Sequence, residues 1–242
     1  MESTRSIGAA RRDVMPQPAT VLLVRHGHTA AVGCRLVGRL PGVELTDEGR
    51  RQAQRLVERL ASLPLSAIYS SPLERALETA RPLAAARTLE IIRCDELIEM
   101  DFGEWTGQTF EALDRLPEWQ RFNSARGRAE VPGGESAAAV QRRAIRAVEA
   151  IAARHAGATV AAFTHADVIR SILLHHTGRP LDQIHDFEAA PASVTAIAVD
   201  ERGTDPLITS TPHRSSRRAL LPRNRSPQTA PSVQPYRRPA AI

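Results

Sequence analysis

The chain has 242 residues, 42% of them hydrophobic, enough to bury one core, and neither length nor pattern requires a second domain. Its formal charge of +5 is uneven: residues 202–242 carry +7 and residues 1–19 carry +1, which leaves −3 for residues 20–201. Apart from histidine every basic side chain is an arginine, which excludes a Schiff-base lysine and a phosphate-loop lysine, and no stretch approaches the ~18 apolar residues of a membrane span.

Residues 1–19 are polar, contain Pro16 and Pro18, and read as a disordered lead-in. Arg11-Arg12 has no apolar run behind it, so no export signal is expected. Strands are predicted at 20–24, 67–70, 90–93, 158–164 and 194–199. A first helix opens at Thr46-Asp47-Glu48, a capping residue followed by two acids, and continues with an apolar stripe of Ala53, Leu56, Val57 and Leu60. A second starts at Pro72 and runs to Pro82 or a little beyond. A third spans 136–155 with Val140, Ala144, Val148 and Ile151 on one face, and a fourth follows Thr164-His165 with Val168, Ile169, Ile172 and Leu173. Strands alternating with helices imply a layered α/β domain over 20–201 with a largely parallel sheet, whose ligands sit at the carboxyl ends of the strands.

From Thr204 onward seven prolines, several serines and the arginines leave no apolar periodicity, so 202–242 reads as a basic disordered tail. Without interleaved aromatics other than Tyr236, the tail reads as solvated, and nucleic acid and membrane are not expected partners. Cys34 and Cys94 are far apart and show no metal or redox spacing, which fits unpaired thiols in the reducing cytoplasm. Oligomeric state has no signature in the chain.

Five separated segments share one chemical theme. Val21-Leu-Leu-Val-Arg25-His26-Gly27-His28-Thr29 ends an apolar strand on an arginine, whose fork of donors suits phosphoryl oxygens, and a histidine able to attack phosphorus. Gly27 lets the backbone turn without placing a Cβ in the pocket. Ser70-Ser71-Pro72-Leu73-Glu74-Arg75 places Arg75 in the first turn of a helix, where free N–H groups already favour anions; a surface pair with Glu74 or Glu78 is its other reading. An acidic and aromatic stretch from Glu96 to Gly107, the turn Val131-Pro-Gly-Gly-Glu135-Ser136 and the junction Thr164-His165-Ala166-Asp167 complete the set.

In this order, and with Leu45-Thr-Asp-Glu-Gly49, these motifs resemble the histidine phosphatase superfamily over roughly residues 20–199. The branch in question contains cofactor-dependent phosphoglycerate mutases, the phosphatase half of the bifunctional fructose-2,6-bisphosphate enzymes, α-ribazole phosphatase and broad-specificity phosphatases. The resemblance implies a three-layer α/β/α sandwich, phosphoglycerate mutase-like, and a two-step phosphoryl transfer through a phosphohistidine that needs neither metal nor cofactor. It assigns His26 as nucleophile, Arg25, Arg75 and His165 as the holders of the phosphoryl oxygens, and Glu99 as proton donor. Glu96, Asp101 and Glu104 compete for the last role; the spacing to Phe102-Gly103 and Trp105 favours Glu99. Gly27, His28, Thr29, Ala166 and Trp105 are the expected substrate contacts, with Trp119 and Phe122 as further candidates for the leaving-group pocket, although buried packing is the expected role of at least one of the three aromatic rings. His28 stands where many relatives carry glutamate, glutamine or asparagine, and Ala166 where glycine is common.

The interval from Glu99 to Glu135 is short beside the insertion that mutases carry there, which favours a phosphatase acting on a small phosphorylated metabolite over a phosphoglycerate-type mutase. A phosphate-binding regulatory module without turnover is disfavoured by the presence of both His26 and Glu99. A metal hydrolase would have to draw its ligands from His26, His28, His165, His175 and His176, which lack a tight ligand spacing.

Overall fold

The computed structural model describes residues 17–200 and the backbone of 209–210. Strand β1 (Ala19–Arg25) is apolar at both alternations, the pattern of a strand covered on both faces. It pairs in parallel with β4 (Thr159–Thr164) and antiparallel with β5 (Val194–Val199). Beyond β4 lies β2 (Leu65–Ser70), and beyond that β3 (Ile91–Arg93), both parallel to it. A two-residue strand, β6 (Thr209–Ser210), adds antiparallel to β5 and completes the order β3-β2-β4-β1-β5-β6. β6 falls inside the segment read as tail. Five residues, 207–211, between Asp205-Pro206 and Pro212 are too few to show an alternation, and the pairing uses the open edge of β5. The remainder of the predicted lead-in and tail lies outside the described residues.

Among the described residues there are six α-helices: α1 (Asp47–Arg59), α2 (Glu74–Arg87), α3 (Phe110–Leu113), α4 (Pro117–Ser124), α5 (Ala137–Arg154) and α6 (Ala166–His176). Leu22, Val24, Ala161 and Phe163 point to one face of the sheet, where they pack with Leu56 and Leu60 from the α1 segment and Ala80, Leu83 and Ala84 of α2. Val21, Leu23, Val160 and Ala162 point to the other face, against Val140, Ala144, Val148 and Ile151 of α5 and Val168, Ile169 and Ile172 of α6. The two-residue strand period thus divides one apolar run between two helical layers.

The predicted cap is in place, Thr46 Oγ1 accepting from Gly49 N at 3.2 Å, and Ser136 caps α5 in the same way, its Oγ accepting from Ala139 N at 3.2 Å. Helix α2 begins at Glu74, two residues later than the Pro72 start expected, because Ser71 is still sheet-like: its N–H donates to Phe163 O at 2.8 Å, and the residue before a proline avoids the helical region. α3 and α4 were not predicted; at four and eight residues they are too short for a periodic signal.

Register places the functional ends together. Arg25 pairs with Thr164 and Ser70 with Phe163, and the ladder runs one residue further, with His26 N donating to Thr164 O at 3.0 Å. His26, His165 and Ser71 therefore leave the sheet side by side.

Candidate active site

His26 is buried at the exit of β1. Its Nδ1 lies 2.7 Å from Gly27 O. A carbonyl only accepts, so Nδ1 carries the proton and Nε2 keeps its lone pair. Burial, reinforced by the charges of Arg25 and Arg75, holds the ring well below the ordinary histidine range, so it is neutral at physiological pH. The ring of His165 lies 5.3 Å away, centroid to centroid. His165 precedes α6, is fully buried, and is depressed in the same direction by burial and then Arg75. Its Nε2 is 2.7 Å from Ser71 Oγ, and Nδ1 has no partner. With the Ser71 hydroxyl donating to Nε2, Nδ1–H is a free donor.

Arg75 is 1% exposed in the first turn of α2. Nη2 donates to Gly38 O at 2.7 Å, while Nε and Nη1 have no partner. The alternative pair with Glu74 or Glu78 does not form: those carboxylates accept from Gly42 N at 3.2 Å and Leu45 N at 2.9 Å. Arg25 donates through Nη1 to Ala189 O at 2.6 Å and leaves Nε unpartnered. Burial and then Arg170 bring Arg25 down to about 10, still a cation at neutral pH. Two arginines and His165 thus present buried donors with no acceptor among the described residues, a donor set suited to an anion with several oxygens.

Gly27 is required for a different reason from the one expected. A Cβ there would meet Gly49 O at 2.7 Å, and a Cβ on Gly49 would meet His28 O at 2.2 Å, so the exit of β1 and the first turn of α1 touch backbone to backbone. This contact explains why Leu45-Thr-Asp-Glu-Gly49 accompanies Arg25-His26-Gly27. Gly49→Ala is expected to push α1 off the loop, lowering stability by roughly 1–3 kcal/mol, the ordinary scale of overpacking, together with kcat/KM. Urea unfolding of the two proteins measures it, and an unchanged midpoint would remove the contact from the site's scaffold.

His28 is half-buried, its N–H donating to Gln52 Oε1 at 2.8 Å and its Nδ1 lying 3.0 Å from Thr46 Oγ1. Thr29 is buried beside it. Ala166 opens α6 with φ negative, so the departure from glycine brings no backbone strain.

Of the four competing acids only Glu99 is buried. Burial, reinforced by the charge of Asp167, pushes its carboxyl up to about 7, although Oε1 accepts from Met100 N at 2.9 Å. Asp167 is ionised: against the opposing push of burial, the guanidiniums of Arg126, at 2.8 Å, and Arg170, at 3.2 Å, hold it well below the carboxylate range. Trp105 lies in an aromatic cluster, edge-on to Trp119 at 5.3 Å and 5.3 Å from Phe122, with all three rings buried. Aromatic residues in a loop read alike as pocket or packing, and here packing takes them.

Sequence reasoning missed Arg39, Arg143, Arg126 and the charge of Asp167. Arg143 is eight residues from its partner Glu135, which precedes the cap of α5, so no helix periodicity links the two. The histidines of the metal-ligand alternative are not gathered: His165 precedes α6 and His175 and His176 end it, about 15 Å away along an α-helix. Among the described residues no helix is long and apolar enough to cross a membrane.

Comparison with known proteins agrees with this arrangement. Residues 21–209 match the model of the histidine phosphatase superfamily (branch 1). Phosphoserine phosphatase 1 of Hydrogenobacter thermophilus is 34% identical over 187 residues, 75% of this chain and 87% of that protein. Among solved structures, Bacillus stearothermophilus YhfR superposes with a TM-score of 0.72 at 34% identity, covering 80% of this chain and 95% of that one. The phosphoserine phosphatase of Entamoeba histolytica, solved with 3-phosphoglyceric acid, gives 0.71 at 26% identity, covering 79% and 95%. The chain belongs to the histidine phosphatase superfamily, branch 1, whose phosphatases transfer the phosphoryl group through a histidine.

Proposed function

We propose that this chain hydrolyses small phosphomonoesters through a phosphohistidine on His26, with Arg25, Arg75 and His165 holding the phosphoryl oxygens and Glu99 serving as acid and then base. The observation that carries the reading is the neutral His26 ring, Nδ1 tied to Gly27 O, beside the unpartnered donors of Arg25, Arg75 and His165. His26 Nε2 attacks phosphorus, the ester P–O bond breaks, and the departing alkoxide takes the proton of Glu99. Water then loses a proton to Glu99 and attacks the phosphohistidine, the P–N bond breaks, and inorganic phosphate leaves. Phosphoryl transfer asks the protein chiefly for positioning and for positive charge around the equatorial oxygens, which this pocket supplies.

The titration states suit both halves of the cycle. A carboxyl near 7 holds its proton in a large share of molecules at neutral pH, and is a competent base once that proton has been given away. The names of the relatives point to phosphorylated hydroxy- and amino-acids, phosphoserine and 3-phosphoglycerate, as the first substrates to try. The short interval from Glu99 to Glu135 supports hydrolysis over transfer to a second hydroxyl. Free Cys34 and Cys94 fit a cytoplasmic protein.

The test is a panel of alkyl phosphomonoesters assayed in excess chelator across pH. We expect kcat/KM, which reports the free enzyme, to fall above about pH 7 as Glu99 ionises. Bound dianionic phosphate raises the same pKa, so the limb in kcat lies higher. Glu99→Gln should lower kcat/KM by ~10²–10⁴ and lose the alkaline limb. Turnover that vanishes with the chelator, or a limb that persists in Glu99→Gln, would count against the assignment.

A further inference from the structure

Glu99 sits on a stretch, 98–102, that links two short 3-10 turns, Asp95–Leu97 and Gly103–Trp105, with no helix or strand ladder of its own. Two arginines hold its backbone. Arg143, on α5, spends all five of its N–H donors here: Nη1 donates to Glu96 O at 2.6 Å and Ile98 O at 2.7 Å, Nη2 to Glu99 O at 3.1 Å and Glu135 Oε2 at 3.0 Å, and Nε to Glu135 Oε1 at 2.9 Å. Arg39 donates through Nε to the same Glu99 O at 2.8 Å and through Nη2 to the same Glu135 Oε2 at 2.8 Å. Two guanidiniums sharing one carbonyl repel each other, and the Glu135 carboxylate between them neutralises that repulsion and fixes the plane of Arg143. Glu135 is in turn tied to the far end of the loop, its N–H donating to Asp101 O at 2.8 Å.

The carboxylate of Glu99 accepts from Met100 N, and no side chain among the described residues hydrogen-bonds it. Its reach is therefore set by where the backbone is pinned. We infer that Arg39, Arg143 and Glu135 are a positioning clamp for Glu99, and that they fix the delivery of its proton to the leaving-group oxygen. The Gly-Gly-Glu-Ser turn owes its glutamate to this task, and Gly134 owes its lack of a Cβ to the same approach, since one would meet Asp101 O at 2.6 Å. The inference rests on the reading of Glu99 as proton donor.

The clamp has a signature that general loosening of the fold lacks. An alkyl phosphate needs its leaving oxygen protonated, whereas 4-nitrophenyl phosphate releases an anion that is stable unprotonated. The experiment compares kcat/KM, which isolates phosphorylation of the enzyme, for 4-nitrophenyl phosphate and the best alkyl substrate of the panel in wild type, Glu99→Gln, Glu135→Gln and Arg143→Lys. We expect both clamp variants to lose about tenfold or more on the alkyl substrate, up to the ~10²–10⁴ of an acid–base catalyst, while staying within about twofold on the aryl one. Lysine, a point charge with three donors, cannot replace a guanidinium that uses five. Equal loss on both substrates, or none, with Glu99→Gln still selective, overturns the clamp and leaves the role of Glu99 standing. A Glu99→Gln protein without selectivity overturns both. Arg39→Gln, at a side chain 34% exposed, carries the same expectation should the buried variants fail to fold.

Discussion

His26→Ala is expected to lower turnover of every phosphomonoester by about 10⁴-fold or more, the scale of removing the nucleophile from a covalent enzyme. The argument is geometric before it is electrostatic. A histidine attacks phosphorus only through an unprotonated nitrogen, and the bond from Nδ1 to Gly27 O fixes which nitrogen that is. Burial and two arginines then keep the second proton off, so the nucleophile is available well below pH 6.5. The measurement is acid-versus-base stability of the phosphoprotein trapped during turnover in chelator. Wild type should yield a base-stable, acid-labile adduct and His26→Ala none. Equal turnover by the two proteins would remove His26 from the nucleophile role and direct attention to His165, whose ring lies 5.3 Å away.

Strands β1 to β5 and the four long helices were legible in the sequence because each carried a local signal, which the two-residue β6 lacks. β1 and β4 are apolar at both alternations, which only burial on both faces requires, and α1 and α5 begin at Thr46 and Ser136 with the cap bonds those residues make. The strand-end residues were legible as a consequence, since a parallel sheet brings the carboxyl ends of β1, β2 and β4 to one edge wherever they fall in the chain. What escaped notice has no local signal. The contact of Arg39 with Glu135 spans 96 residues, and the acceptors of Arg143 are mostly backbone carbonyls, which every residue possesses. The aromatic cluster was half-legible, because an aromatic side chain near an acidic loop reads alike as pocket wall or as core, and the edge-on contact of Trp105 with Trp119 is seen only in the fold. The same limit explains Gly27, whose need comes from Gly49, a neighbour in space that is 22 positions distant.

Arg75→Met should separate function from stability. We expect kcat/KM to fall by about 10²–10³, as when one preorganised donor to a developing charge is removed. Folding should not suffer in proportion. Arg75 is a cation at 1% exposure with no carboxylate in an ion pair, and a single hydrogen bond, to Gly38 O, offsets its loss of hydration. Losing that bond costs about 1 kcal/mol, whereas replacing a buried charge by an apolar side chain of similar length is often neutral or stabilising by ~1–4 kcal/mol. The cation is thus held in the core at a cost that bound phosphate recovers. Thermal unfolding with and without inorganic phosphate measures this directly. Wild type should gain about 2.7 kcal/mol at a ligand concentration a hundredfold above Kd, and Arg75→Met should show little gain at the same concentration. A variant that unfolds much more easily yet keeps its full response to phosphate would make Arg75 a structural residue and shift the burden of holding the phosphoryl group to Arg25 and His165.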